Sequence, residues 1–544
     1  MQKTSSRLAV LTLLTACAAP AVSQTPEPAP RAISVEEQSI SDLGRMMDSG
    51  RVGSVDLVRG YMDRIRKIDR QGPSLNSVIA VMPDAMKEAR LRDAERKAGK
   101  LRGPLHGIPV LIKDNIEAAG PVPTTAGSTA LSANITNRDA PLVARLRAAG
   151  AIILGKTNLS QWANIRSTGS TSGWSSVGGL VKNPYALDRN ACGSSSGSGA
   201  AAAASLAAIA IGTETDGSIT CPASMNGLVG FKPTVGLVSR THIIPISHSQ
   251  DTAGPMARSV MDAAIMLTVL AGSDVADPAT QQADSRRTDY AKDLSRDYLR
   301  GVRIGVLTDR TGNNAGVRTV FAAALGQLSA IGAVLVEIAD SRTGLEELRE
   351  AERKVLMTEL KADMNAYLAT TPAAVSSRTL ADLIAFNKSH AATELAWFDQ
   401  DQFELAESQK GLDDPEYIEA LAKSRQLARE EGIDRLMKQH DVMFLIGPSN
   451  GPTWVSDLVN GDNFGPPSQS QLAAVAGYPH ITVPMGNVSG LPVGLSFIGK
   501  QWADHDVIKA GYAFEQAAGA RVAPAYRPHA DAIADPAQPL ESVE

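Results

Sequence analysis

Lys113, Ser194 and Ser218 are residue types that together could cleave an acyl bond. A serine hydroxyl is a weak nucleophile until a neighbour takes its proton. A lysine can take it once burial strips the ammonium of its charge. A second hydroxyl can relay the proton, because it both donates and accepts. Both serines stand in one stretch of low charge, residues 192–236, built almost wholly of Gly, Ser, Ala and Thr. Ser194 lies in Cys192-Gly193-Ser194-Ser195-Ser196-Gly197, and Ser218 in Gly212-Thr213-Glu214-Thr215-Asp216-Gly217-Ser218-Ile219. Glycine-rich turns of this kind aim several backbone N–H groups at one point, which suits an anion or an oxyanion.

The elements around these residues decide whether they can meet. Ala200 to Ala210 is dense in alanine and reads as a packed helix. Ile209 to Ile211, ending at Gly212, reads as a short buried strand. These apolar runs argue against a flexible linker, which the composition alone would allow. Ser194 is therefore expected on a turn that opens a helix, and Ser218 on a turn after a strand. Upstream, Ile108 to Ile112 reads as a buried strand with Lys113 at its end. In doubly covered sheets sites collect at strand ends. On this segment alone the plainer reading is preferred, with Lys113 the first exposed residue past a strand.

The rest of the chain alternates helices with apolar strands, which predicts an α/β layer fold. Helices are expected over Ser34 to Met47, Ser54 to Ile68 (with Ser54 as N-cap), Asp84 to Lys97, Pro141 to Gly150, Ser259 to Ala271 and Ala315 to Gly332. Strands are expected over Leu75 to Met82, 151–156, Val302 to Leu307, Val334 to Ile338, Asp441 to Ile446, His480 to Val483 and Gly494 to Ile498. Residues 342–440 are charged and read as helical throughout, forming a cover or a substrate wall. No repeat and no mid-chain linker appears, so residues 34–530 are expected to form one domain, and residues 531–544 a loose tail.

Taken together, Gly107-Ile-Pro-Val-Leu-Ile-Lys113-Asp-Asn115, Gly193-Ser-Ser-Ser-Gly197 and Gly217-Ser-Ile through Gly227-Leu-Val-Gly-Phe-Lys-Pro-Thr-Val-Gly236 resemble the amidase signature family, with motifs in order from about Ser54 to about Ala518. The peptide amidase branch is similar through Gly212 to Ile219 and Pro245 to Pro255. The resemblance implies a large mixed twisted β-sheet covered by α-helices on both faces. It implies a Ser–Ser–Lys triad: Ser218 as nucleophile, Ser194 as bridging serine and Lys113 as base, with Ser195 supporting the relay. The backbone N–H groups of Thr215, Asp216, Gly217 and Ser218 would hold the oxyanion. The implied substrate is a small-molecule or short-peptide amide, most specifically the C-terminal amide of a peptide, and no cofactor is implied. A general aliphatic or aryl amidase is the alternative, and a non-catalytic exported binding protein on the same fold is another. The chain departs from the family at Asp216 and Thr220, where Gly and Arg are common. Asp216 either receives substrate N–H groups or fixes the loop.

A rival pattern is present. Gly193 to Gly197 also fits Gly-x-Ser-x-Gly, an elbow that would make Ser195 the nucleophile and His505, between Asp504 and Asp506, its base. His106, His242 and His248 lie near the motifs and read as structural or pocket residues.

The 544 residues carry a formal net charge of −5 and only 4% aromatics, which excludes a phosphate-tracking surface or a base-stacking platform and so nucleic acid as a partner. Lys3 and Arg7 followed by Leu8 to Leu14 read as an export signal, too short to span a bilayer, with residues 1–23 removed and 24–33 left as a Pro-rich tether. Leu14-Thr15-Ala16-Cys17 resembles a lipobox that would lipidate Cys17, whereas Ala21-Val22-Ser23 resembles an ordinary cleavage site. Either places the protein outside the cytoplasm, periplasmic or lipid-anchored at the envelope, and away from tRNA, which disfavours the amidotransferase branch of the family. Cys192 and Cys221 read first as small buried thiols, with a single bridge as the alternative. No Cys/His spacing suits a metal, and none is expected.

Overall fold

The computed structural model describes residues 33–342 and 344–530, which belong to one compact unit. The expected export signal, nearly all of the tether, and the tail lie outside the described residues. Eleven strands form one mixed sheet: β1 (Val78–Val81), β2 (Pro109–Lys113), β3 (Ile152–Thr157), β4 (Ile209–Glu214), β5 (Val229–Lys232), β6 (Thr252–Ala257), β7 (Arg303–Leu307), β8 (Val334–Ile338), β9 (Phe444–Pro448), β10 (His480–Val488) and β11 (Leu491–Ile498). Their spatial order is β1-β3-β2-β4-β6-β5-β10-β11-β9-β7-β8. Strand β2 runs parallel to both β3 and β4, and β7 parallel to β8 and β9; the other neighbours are antiparallel.

Every residue of β2, β3 and β4 is buried, which is why these strands read as unbroken apolar runs rather than as alternation. Helices cover both faces. Gly511, in the helix Asp504–Ala518, lies against Ile481 and Val483, whereas Ser224, in Thr220–Met225, meets Gly494 beside Thr482. Successive residues of a strand point to opposite faces, so these two helices sit on opposite sides of the sheet. No helix among the described residues is long and apolar enough to cross a membrane.

Several expected boundaries move. The alanine-rich helix spans only Ser196–Ala203; at Ser205 the backbone turns left-handed (φ 53°) so that the chain can enter β4, a tertiary demand that overrides alanine's propensity. The first helix starts at Ile40, where Ser39 and Asp42 form a capping box, not at Ser34. Ser54 is the first helical residue rather than the cap, its N–H held by Asp93 at 2.6 Å. Residues 342–440 are not one helical run but separate helices, including Leu345–Ala369, Leu380–Ser389 and Pro415–Ala428, with breaks at residues such as Pro372 and Gly411. Strands β5 and β6 were not legible in advance. Gly254 of β6 explains part of this: a side chain there would stand 2.0 Å from the Phe231 carbonyl oxygen, so the close strand pairing requires a residue with no strand propensity.

Candidate active site

Parallel pairing of β2 with β4 brings Lys113 alongside Thr213. Lys113 is the last residue of β2 and fully buried, which corrects the strand-end reading in which it would be exposed. Its Nζ lies 2.7 Å from Ser194 Oγ, 2.9 Å from Thr213 Oγ1 and 3.4 Å from the Thr213 carbonyl oxygen. Among the described residues no carboxylate lies within ion-pair distance of it. Burial therefore pushes its pKa from 10.5 down to about 7, while the more distant Asp251 and Glu214 pull it partly back. Lys156 on β3 is as deeply buried but has Asp114 at 3.6 Å, with Ile116 and Thr124 accepting from it. The contrast is between a paired buried cation and an unpaired amine set among hydroxyls.

The Ser194 turn precedes the helix Ser196–Ala203. The Gly193–Ser194 peptide is cis, and the Ser194 carbonyl accepts from Ser160 N at 3.0 Å. Gly197 is required here, because a Cβ would stand 2.3 Å from two backbone oxygens, those of Ser77 and Asn158. Ser195 is fully buried; its hydroxyl donates to the Thr213 carbonyl at 3.0 Å and accepts from Thr213 N at 3.2 Å. That hydroxyl ties the Ser194 turn to β4 and faces no base. His505 sits on the helix Asp504–Ala518 with Nε2 at 3.0 Å from the Lys292 carbonyl. The elbow arrangement of Ser195 with His505 is therefore not formed.

Ser218 lies on the turn that joins β4 to the helix Thr220–Met225, half-buried, after Gly217 with φ 77°. The Ser195 N–H donates to the Ser218 carbonyl at 3.2 Å, so the two serine turns abut. Glu214 holds the turn from beneath by accepting from Ile219 N at 2.7 Å and Thr220 N at 2.9 Å. The backbone N–H groups of Asp216, Gly217 and Ser218 donate to no acceptor among the described residues. Thr215 is oriented by its hydroxyl, 2.5 Å from Asp251 Oδ1, while Asp251 Oδ2 accepts from Ile246 N and Ser247 N.

Ser218, Thr215, Asp216 and Gly217 line a cavity of about 1020 Å³ that is also lined by Arg310, Leu345, Arg349 and Trp454. Asp216 opens into it and accepts from Ser470; enclosure by protein and the charge of Glu214 raise its pKa, an effect tempered where solvent reaches the carboxylate. Glu352 is buried behind the wall, with Gln250 at 2.9 Å and Gln471 at 2.8 Å. Burial first, then the charge of Asp216, raises its pKa to about 8. Arg342, Leu345, Arg349 and Leu356 thus contribute to the wall, whereas Leu360, Leu380 and Phe403 belong to a second hydrophobic core against which Leu356 packs.

Cys192 and Cys221 form a disulfide with Cα atoms 6.0 Å apart, which corrects the reading of two free thiols. The return of the chain through β4 brings turns 29 residues apart side by side. Closing a loop of that length is worth about 3–4 kcal/mol against the unfolded chain. Thr213, Asn115 (whose Nδ2 donates to Thr213 Oγ1 at 3.0 Å), Asp251 and Glu352 were not singled out from the sequence. Thr213 and Asp251 sat inside the quoted motifs; Glu352 carried no local signal.

The model of the Amidase family matches residues 56–508. A probable amidase of Arabidopsis thaliana is 36% identical over 504 residues, covering 91% of this chain and 92% of that protein. A glutamyl-tRNA(Gln) amidotransferase component of Symbiobacterium thermophilum is 31% identical over 493 residues, covering 88% and 96%. The crystal structure of native peptide amidase from Stenotrophomonas maltophilia superposes with a TM-score of 0.86 at 49% identity, covering 90% of this chain and 99% of that one. With its eleven-stranded sheet, its apposed serine turns and these matches across nearly the whole described chain, the protein belongs to the amidase signature family, hydrolases of carbon–nitrogen bonds in amides.

Proposed function

We propose that this protein is an exported amidase that removes the C-terminal amide of short peptides as ammonia, through a Ser218 acyl-enzyme. The observation that carries the mechanism is the 2.7 Å contact between Ser194 Oγ and a buried Lys113 whose pKa lies at about 7. A neutral amine can donate two hydrogens to the Thr213 oxygens and accept the Ser194 proton on its lone pair. Ser194 then takes the Ser218 proton as Ser218 Oγ attacks the carboxamide carbon. Negative charge on the carbonyl oxygen is met by the unpartnered N–H groups of residues 216–218, with Thr215 completing the turn, each donor being worth about 3–4 kcal/mol. The relayed proton returns to the departing nitrogen, ammonia leaves, and water releases the acid by the same route.

Two observations support a peptide amide over a simple one. The cavity is large enough for several residues, and Asp216 stands at its floor where a substrate N–H could donate. The similarity to the Stenotrophomonas peptide amidase is consistent with this. Export rests on the sequence of residues 1–23. The test is ammonia release from a C-terminally amidated dipeptide beside benzamide, propionamide and free glutamine. Preference for the dipeptide amide is expected; preference for benzamide or propionamide would replace the peptide reading with a general amidase. No ammonia from any of the four would favour a binding protein.

A further inference from the structure

We propose that the Cys192–Cys221 bridge is a positioning element of the catalytic machinery, holding the Ser194 turn and the Ser218 turn in register so that acyl transfer requires the oxidised protein. This rests on the assignment of Ser218 as nucleophile. Cys192 lies two residues before Ser194, and Cys221 three residues after Ser218. Among the described residues, one hydrogen bond joins residues 192–195 to residues 216–221, the 3.2 Å contact from Ser195 N to the Ser218 carbonyl. The other ties of each turn run elsewhere, among them Cys192 N to Asn190 Oδ1 at 2.7 Å, Ser160 N to the Ser194 carbonyl, Ser195 Oγ to the Thr213 backbone in β4, and Ile219 and Thr220 N to Glu214. The covalent bridge is the second direct link across the gap that the proton must cross.

The backbone at Cys192 points the same way. Its φ of 54° is a left-handed conformation that a non-glycine residue keeps only where its surroundings hold it. Here the side chain is tethered to Cys221 and packed with Met225 and Trp454. Both cysteines also line the substrate cavity with Trp454, so the bridge is part of the wall beside the scissile bond and not a staple at the protein's edge. Relay through two hydroxyls depends on sub-ångström placement, and a small shift between the turns costs rate out of proportion to stability.

The experiment uses the whole oxidised protein. Dithiothreitol reduces the bridge, delivering two electrons and two protons to the S–S bond and closing to its own cyclic disulfide. Thiol content is followed by maleimide labelling and mass, and folding by circular dichroism. Turnover of an amidated dipeptide and labelling of Ser218 by a fluorophosphonate are measured on oxidised, reduced and reoxidised protein and on Cys192→Ser/Cys221→Ser. The expected result is a fall of about tenfold or more in kcat and in labelling rate, with a smaller change in KM. The pH midpoint of labelling should shift as the Ser194–Lys113 contact loosens, and reoxidation should restore the wild type. Unchanged kcat, labelling rate and midpoint in reduced, folded protein would overturn the proposal. So would activity lost only in step with the circular dichroism signal, which would make the bridge a global staple. Failure of the peptide-amide reading is seen separately, as oxidised protein that labels at Ser218 yet releases no ammonia.

Discussion

Replacing Lys113 by methionine should abolish turnover and yet stabilise the folded protein, by an amount that fades as pH rises. Methionine approximates the volume of the lysine chain without its amine. In the folded protein the Lys113 pKa is about 7, against 10.5 for an unhindered lysine. At ~1.4 kcal/mol per pKa unit, folding below pH 7 carries a penalty of about 5 kcal/mol at this one residue. Between these two values the unfolded chain binds more protons than the native one, so wild-type stability climbs with pH. The penalty is complete below the folded value and gone above the unfolded one. From about pH 7 to about pH 9 the wild type should regain about 2 kcal/mol relative to the variant. Loss of the hydrogen bonds to Ser194 and Thr213 offsets the variant's gain by ~1–3 kcal/mol, but by the same amount at every pH, so the slope is diagnostic. Urea unfolding of both proteins across this range gives the difference directly. Parallel stability curves would refute the argument, because they would mean that Lys113 keeps an ordinary pKa and cannot serve as a base.

Other substitutions separate the residues' roles. Ser218→Ala should lower kcat by roughly 10⁴-fold or more while circular dichroism and the unfolding midpoint stay at wild-type values, and near-normal turnover would remove Ser218 from the mechanism. Asp251→Asn takes away the charge that most raises the Lys113 pKa, so the acid limb of the kcat/KM profile should move to lower pH; movement to higher pH would contradict the assigned electrostatics. His505→Ala should leave the turnover rate within about twofold, since its ring bonds to the Lys292 carbonyl and packs edge-on to Tyr290, far in role from the serine turns; inactivity would revive the elbow arrangement.

What could be read from the chain follows the physics of each residue. Strands β2, β3 and β7 were legible because burial on both faces leaves an apolar run that local sequence displays in full. Lys113, Ser194 and Ser218 were legible as a group because their turns need glycine at fixed places, such as Gly197 and Gly217. Lys113 alone was not, since nothing local distinguishes an exposed strand end from one sealed by β3 and β4. The Cys192–Cys221 bond depends on how β4 returns the chain, a long-range fact invisible in spacing. Glu352 is placed by a helix whose sequence looks like any charged surface helix, yet its carboxyl is buried between Gln250 and Gln471. The alanine run misled for the opposite reason: a strong local preference yielded to the turn at Ser205.

The most direct test of the account is the mass of the protein during turnover. A slowly deacylating C-terminal peptide ester or amide is mixed with the enzyme, quenched in acid, and the protein is digested and sequenced by mass spectrometry. The expected product is an acyl adduct on Ser218, absent in Ser218→Ala and accumulating more slowly as pH falls below about 7, where Lys113 takes up its proton. An adduct on Ser194 or Ser195, or turnover with no adduct on any serine, would contradict it.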